Sequence, residues 1–207
     1  EVPNPPAPSP RLSARAAKLR RELYKDGSKP SEDERSHGHG GGYGGGSGYY
    51  GGGRSTGLDR EGRWIHEGRE IKRRPLVKLF SRIIKREAGL YYLVTPVEKW
   101  QIQVDVAPFF IISAQREMRH SRQAILLTTS TGESIVLGHD NPLWVEFEAD
   151  SDAPTPLVKV RGNLTGLLSR GTYYQLVEWG QELQLDEGTP GLYVESMGQY
   201  FRLGSLE

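Results

Sequence analysis

Tyr91-Tyr92-Leu93-Val94-Thr95-Pro96-Val97-Glu98-Lys99, running on to Val104-Asp105-Val106-Ala107-Pro108-Phe109, is the stretch on which the reading of this chain turns. An apolar, aromatic run stops at Thr-Pro, because proline has no N–H to give to a strand ladder. A Glu-Lys pair follows, and a strand then resumes. Trp100, Ile102, Val104 and Val106 alternate with Gln101, Gln103 and Asp105, the period of a half-buried strand. The centre of the chain therefore reads as two strands joined by a bend. At that bend Glu98 and Lys99 point to different faces.

Toward the N-terminus, Pro75 suits the first position of a helix. Leu76, Leu79, Phe80, Ile83 and Ile84 recur at the spacing of one buried stripe, with Gly89 as the stop. Before it, Trp64-Ile65-His66 and Glu70-Ile71-Lys72 flank the turn signal Glu67-Gly68 and predict a hairpin. Earlier still, residues 38–53 form a Gly/Tyr tract that cannot build a core and reads as a flexible linker. Arg11 to Asp26 reads as a short basic helix behind a Pro-rich start. Gly46-Ser47-Gly48-Tyr49-Tyr50-Gly51 matches the dinucleotide fingerprint in letters only, since no strand precedes it and no helix follows.

Toward the C-terminus, further strands are predicted over 109–113, 124–129, 134–137, 144–149 and 157–160, with Thr131-Gly132-Glu133 as a hairpin turn. The polar stretch 115–122 reads as a loop. Asn163 is placed to cap a short helix over 164–168, and a second helix is expected over 172–179. Residues 181–190 read as a loop before a final hairpin of 192–194 and 200–203. Two echoes suggest a duplicated unit. Gly62 to Gly68 resembles Gly191 to Gly198, and a Tyr-Tyr pair follows or joins a helix at Tyr91-Tyr92 and Tyr173-Tyr174.

The net charge of +1 conceals a segregation. Residues 57–100 hold eleven Lys/Arg against six Asp/Glu, and residues 101–207 hold seven against fourteen. Such a chain either attracts itself across an interface or offers an anion site on its basic half. With no Cys there is neither a disulfide framework nor thiolate chemistry. No apolar run reaches the roughly 20 residues of a membrane helix, and the start lacks the apolar core of a signal peptide. A cytoplasmic location is the expectation, with no cofactor. His37-Gly38-His39 has no further ligand cluster nearby to make it a metal site.

Three constellations point to anion chemistry. Lys72, Arg73, Arg74, Lys78, Arg82, Lys85 and Arg86 crowd one predicted helix, whose first turn also offers free N–H groups. Thr95 to Lys99 offers a Glu and a Lys at a strand bend. Arg161-Gly162-Asn163 stands where a strand is expected to enter a helix. Each also has a plain reading, respectively a solvated face, a surface ion pair and a capping Asn. No Gly-x-Ser-x-Gly elbow is present, and no pair of carboxylates sits in an apolar setting.

The blocks Arg74-Pro75-Leu76-Val77-Lys78-Leu79-Phe80, Tyr92 to Lys99, Asp105-Val106-Ala107-Pro108-Phe109, Asn141-Pro142-Leu143, Val160-Arg161 and Leu167-Leu168-Ser169-Arg170 with Tyr173-Tyr174 together resemble the family called domain of unknown function 1285. The resemblance covers most of residues 58–206. Gly171 departs from the proline the family often has there, and Thr129-Ser130-Thr131-Gly132 departs from its Asn-containing turn. The family consists of uncharacterised bacterial proteins. Membership implies a duplicated α+β architecture whose second half is pleckstrin-homology-like, with a nucleotide-like ligand between the units and a role in signal transduction.

The expectation is thus an α+β protein of two similar β-rich units from an internal duplication. A disordered tail occupies 1–56, an N-terminal unit 57–106 and a C-terminal unit 107–207. It is expected to be a non-enzymatic regulatory module that binds an anionic, nucleotide-like molecule at the interface of its units. Lys78, Lys99 and Arg161 would meet phosphate. Tyr173 would stack on a base, Thr95 would line the site, and Glu98 would take a ribose hydroxyl or brace Arg161. Other classes stay open: an adaptor that binds a protein through a sheet edge or the tail, a phosphoryl- or acyl-handling enzyme, and tail-mediated nucleic-acid binding.

Overall fold

Pro75 and the short turns that precede it organise the first unit. The computed structural model describes residues 56–147, 153–185 and 190–206; the expected basic helix, the Gly/Tyr tract and His37-Gly38-His39 lie outside them. β1 (Thr56–Leu58), β2 (Trp64–His66) and β3 (Arg69–Glu70) form a meander, followed by α1 (Arg74–Ile83) and then by β4 (Ile84–Glu87), β5 (Leu90–Val94) and β6 (Lys99–Val104). β1 lies parallel to β6, pairing Leu58 with Val104, so the two meanders join into one sheet of order β3-β2-β1-β6-β5-β4. The turns are tight. Glu67 and Gly68 both have positive φ, as do Ala88 and Gly89, the pattern of two-residue hairpin turns whose twist matches that of the strands.

The second unit repeats this order. β7 (Phe109–Arg119), β8 (Arg122–Thr129) and β9 (Ser134–Val136) are followed by β10 (Leu143–Phe147), β11 (Pro154–Arg161) and β12 (Leu164–Leu168). Here β7 runs parallel to β12, with Phe109 beside Gly166, and the sheet order is β9-β8-β7-β12-β11-β10. In both sheets, therefore, the first strand lies beside the last. α2 (Arg170–Trp179) follows, started by Ser169, whose Oγ accepts from the Thr172 N–H at 3.2 Å. A third sheet of β13 (Gln181–Leu183), β14 (Gly191–Ser196) and β15 (Gln199–Ser205) closes the fold. It is tied to β8 by the Met197 N–H donating to the Gln123 carbonyl and by the buried Ser196 hydroxyl, which accepts from the Ile125 N–H and donates to the Leu137 carbonyl.

One hydrophobic core joins the pieces. Leu58, Leu93 and Ile102 from the first sheet belong to the same cluster as Ile111, Leu127 and Val158 from the second, Leu176 from α2, and Leu192 and Leu203 from the third. The joint between the first two sheets is close. The turn from Asp59 to Arg63 is held by Arg63, whose Nε and backbone N–H both donate to the Asp59 carboxylate, and it presses Gly62 against Phe110. That hydrogen bond and the Asp59 charge also raise the pKa of Arg63 above its ordinary value.

The architecture is strand-rich with few helices, and several local expectations change. The α1 helix ends at Ile83, not Gly89, and 84–87 is a strand. Its half-buried side chains are Leu76, Val77, Phe80 and Ile83, while Leu79 is exposed. Residues 115–122 are not a loop but the outer part of the β7–β8 hairpin. Residues 164–168 are β12, not a helix, and Gly162-Asn163 is the two-residue turn into it. Residues 181–183 are a strand within the stretch expected to be a loop. The two Tyr-Tyr pairs are not equivalent, since Tyr91-Tyr92 lies on β5 and Tyr173-Tyr174 lies inside α2.

Candidate functional site

The end of α1 and the edge strand β4 carry alternating cations because 82–87 reads Arg-Ile-Ile-Lys-Arg-Glu. Ile84 turns into the core, which leaves Lys85 and Arg86 near the edge of the sheet. The β11–β12 turn of the second unit reaches this edge, and the Asn163 side-chain amide donates to the Arg86 carbonyl at 3.0 Å. Between them lies an open groove of about 320 Å³, lined by Arg82, Ile84, Lys85, Arg86, Glu87 and, from the turn, 161–164. Four of its lining residues are cationic and one is acidic. Glu87 is engaged by Lys99, and Arg86 stacks over Tyr91 at 5.3 Å.

Arg161 is the most heavily used of the four cations. Its guanidinium donates to the Glu133 carboxylate at 2.5 Å and to the Ser81 carbonyl, and it lies 4.9 Å above the Phe109 ring. Ser81 belongs to the last turn of α1, where carbonyls lack helical partners and the macrodipole is negative. A side chain of the second unit thus caps a helix of the first. The same dipole makes this end of α1 unfavourable for an anion unless cations outweigh it, and Arg82, Lys85 and Arg86 do so here. The predicted use of the helix start is not what the structure offers at the groove, which lies at the other end of α1.

Of the six residues singled out from the sequence, Arg161 alone lines this groove. Lys78 is exposed on α1, one turn before Arg82 and outside the lining. Lys99 lies on the outer face of the first sheet, paired with Glu87 and 4.2 Å above the Tyr92 ring. Thr95 and Glu98 close the β5–β6 turn on each other: the Thr95 N–H donates to the Glu98 carbonyl at 2.8 Å, and the Glu98 N–H donates to Thr95 Oγ1 at 3.0 Å. The acid that braces Arg161 is Glu133, not Glu98. Tyr173, expected to stack on a base, is buried, and its hydroxyl donates to the Leu203 carbonyl at 2.6 Å. Burial, then the neighbouring Tyr174, pushes its phenol pKa above the ordinary value. Tyr173 is therefore a core residue. Among the described residues no group of three or more His, Cys, Asp or Glu side chains gathers to hold a metal ion, and no helix is long and apolar enough to cross a membrane.

Two family models cover this architecture. One, described as domain of unknown function (DUF1285), N-terminal domain, matches residues 52–107; the other, protein of unknown function (DUF1285), C-terminal domain, matches residues 108–203. The chain belongs to the DUF1285 family. A crystal structure of a DUF1285 family protein from Silicibacter pomeroyi DSS-3 is similar at 36% identity and a TM-score of 0.64, covering 73% of this chain and 80% of that one. Another, from Shewanella baltica OS155, is 28% identical with a TM-score of 0.47, covering 59% of this chain and 89% of that one. No curated protein matches.

Proposed function

We propose that this DUF1285 protein is a non-enzymatic regulatory module that binds an anionic, nucleotide-like ligand in the groove between its two six-stranded units. The observation that carries the reading is the convergence of Arg82, Lys85 and Arg86 from one unit with Arg161 from the other, on an apolar floor of Ile84 and Leu164. Phosphate oxygens suit the guanidinium and ammonium groups. The volume is at the small end of ligand sites, which run from about 300 Å³ upward, and suits one mononucleotide better than a larger guest. The shared strand order of the two sheets supports descent from one duplicated unit, divided between residues 106 and 107. The helix that follows the last strand of the second sheet is in keeping with a pleckstrin-homology-like second half. A ligand gripped by both units would change how firmly they are held together, which is how such a module would signal in a bacterial cytoplasm.

The test is thermal unfolding of the full chain with a panel of mononucleotides. At a ligand concentration 100 times Kd, binding adds about 2.7 kcal/mol of stability, a rise in Tm of several degrees. The double variant Arg82→Ala/Arg86→Ala is expected to lose nearly all of that rise. A rise that survives the double substitution moves the site elsewhere. No rise with any nucleotide in the wild-type protein refutes the reading.

A further inference from the structure

Glu133 has no role in the groove as described, yet it occupies one of the groove's four cations. It sits in the β8–β9 turn, which is built from its backbone and from Thr129. The Thr129 N–H donates to the Glu133 carbonyl at 2.8 Å, the Glu133 N–H donates to Thr129 Oγ1 at 3.0 Å, and the Gly132 N–H donates to the Thr129 carbonyl at 2.9 Å. The Glu133 side chain is free of these bonds and reaches Arg161. The pair is partly solvated, with side-chain exposures of 35% and 30%. Neither charge is therefore locked away as a fully buried pair is. The second fork of Arg161 is fixed separately on the Ser81 carbonyl, so the guanidinium stays in place whichever anion holds the first.

We propose that Glu133 is a built-in competitor for the groove's ligand, displaced from Arg161 by a doubly charged terminal phosphate, and that its release loosens the β8–β9 turn. This rests on the groove being the ligand site and adds which phosphate it selects and what binding changes. The charge argument is simple. A monoanion that replaces the carboxylate exchanges one negative charge for another and gains little at Arg161. A terminal phosphate carries about −1.5 to −2 at neutral pH. Its additional charge is met by Arg82, Lys85 and Arg86 on the facing wall, and no ion pair is formed by these three side chains among the described residues. When Glu133 lets go, the turn loses its side-chain tie to Arg161 at the end of β11, and its amides open more often.

The experiment is an NMR titration of the full chain with inorganic phosphate near pH 8, read with amide hydrogen exchange, and repeated with dimethyl phosphate as the monoanionic probe. With inorganic phosphate, amide signals of 85–87 and 161–164 are expected to shift, and the Gly132 and Glu133 amides to exchange faster. Dimethyl phosphate is expected to leave the two turn amides unchanged. Glu133→Gln keeps the turn's backbone bonds, and it should bind inorganic phosphate about threefold to fivefold more tightly, with its turn amides already fast before phosphate is added. Groove signals that shift while Gly132 and Glu133 keep their exchange rates overturn the exchange of partners and leave the groove reading standing. Turn amides that accelerate with dimethyl phosphate overturn the requirement for a dianion. No shift anywhere in the wild-type protein sinks the groove itself and this inference with it.

Discussion

The two six-stranded sheets share a strand order and are buried to different depths. In the second, Ile111, Ile125, Leu127, Leu137 and Val158 have no exposed surface. In the first, the buried apolar residues are Leu58, Trp64, Ile84, Leu93 and Ile102, and each keeps a few per cent of exposed surface. The cause lies in what packs on each. The second sheet is covered by α2 and joined at β8 by the third sheet, whereas among the described residues the helix packed on the first is α1, ten residues long. A shared strand order therefore does not bring equal burial. The first sheet depends on its neighbour for its apolar contacts, and this leaves its rim free to carry Arg82, Lys85 and Arg86.

That contrast can be broken most forcefully in the core. Leu176→Ala, in α2 with no exposed surface, is expected to cost about 3–5 kcal/mol, because its rigid surroundings keep the cavity open. Leu93→Ala in the first sheet should cost about 2–3 kcal/mol, since half-exposed neighbours such as Tyr91 and Trp100 can settle into the space. Urea unfolding of both variants measures the difference, and equal losses would mean that the difference in burial does not carry over into stability. The joint comes next. Gly62 has φ of +71°, and a Cβ there would stand 2.5 Å from that of Phe110. Gly62→Ala should cost about 2 kcal/mol, and a neutral result by the same measurement would mean the two units yield easily. The smallest effect belongs to Lys99. Its pair with Glu87 is 44% and 51% exposed, so Lys99→Ala should cost no more than about 0.5 kcal/mol and should leave nucleotide stabilisation intact.

The elements with a clear local period were legible in the chain. The alternation from Trp100 marks β6, which ends at Val104, two residues short of the expected Val106; Glu67-Gly68 makes its hairpin turn, and Pro75 opens α1 one residue after its start. Misreadings arose where two periods coincide. Ile84 continues a helical stripe but begins a strand, and Gly89, expected to stop the helix, sits with Ala88 in a turn between strands. Leu164, Leu167 and Leu168 fit helical spacing as well as a β12 buried on both faces, where side chains need not alternate. Gly166 was the signal for the strand: a Cβ there would press within 3.0 Å of Ile111 and 3.1 Å of Val160. The outer β7–β8 hairpin was hidden because its polar residues face water on both sides. The groove was legible only in part. Arg161 stood out at an expected strand-to-helix junction, which is a hairpin turn in the structure, and Arg82, Lys85 and Arg86 belonged to a recognised basic run. Which of those cations would face Arg161 depended on α1 ending at Ile83 and on the β11–β12 turn reaching β4, and neither is written in local sequence. Tyr173 was misassigned because an aromatic in a helix looks the same whether it faces a ligand or a carbonyl in the core.

The pairing of the first strand with the last has a consequence for how the chain acquires its shape. β1 must wait beside an empty position until β6 has emerged from the ribosome, and β7 must wait for β12. Each sheet remains two separate meanders with open edges until its closing strand arrives. Contacts this distant along the chain make folding slow and leave the half-built sheets exposed to wrong partners meanwhile. The vulnerable interval in the life of this protein thus falls during its own synthesis.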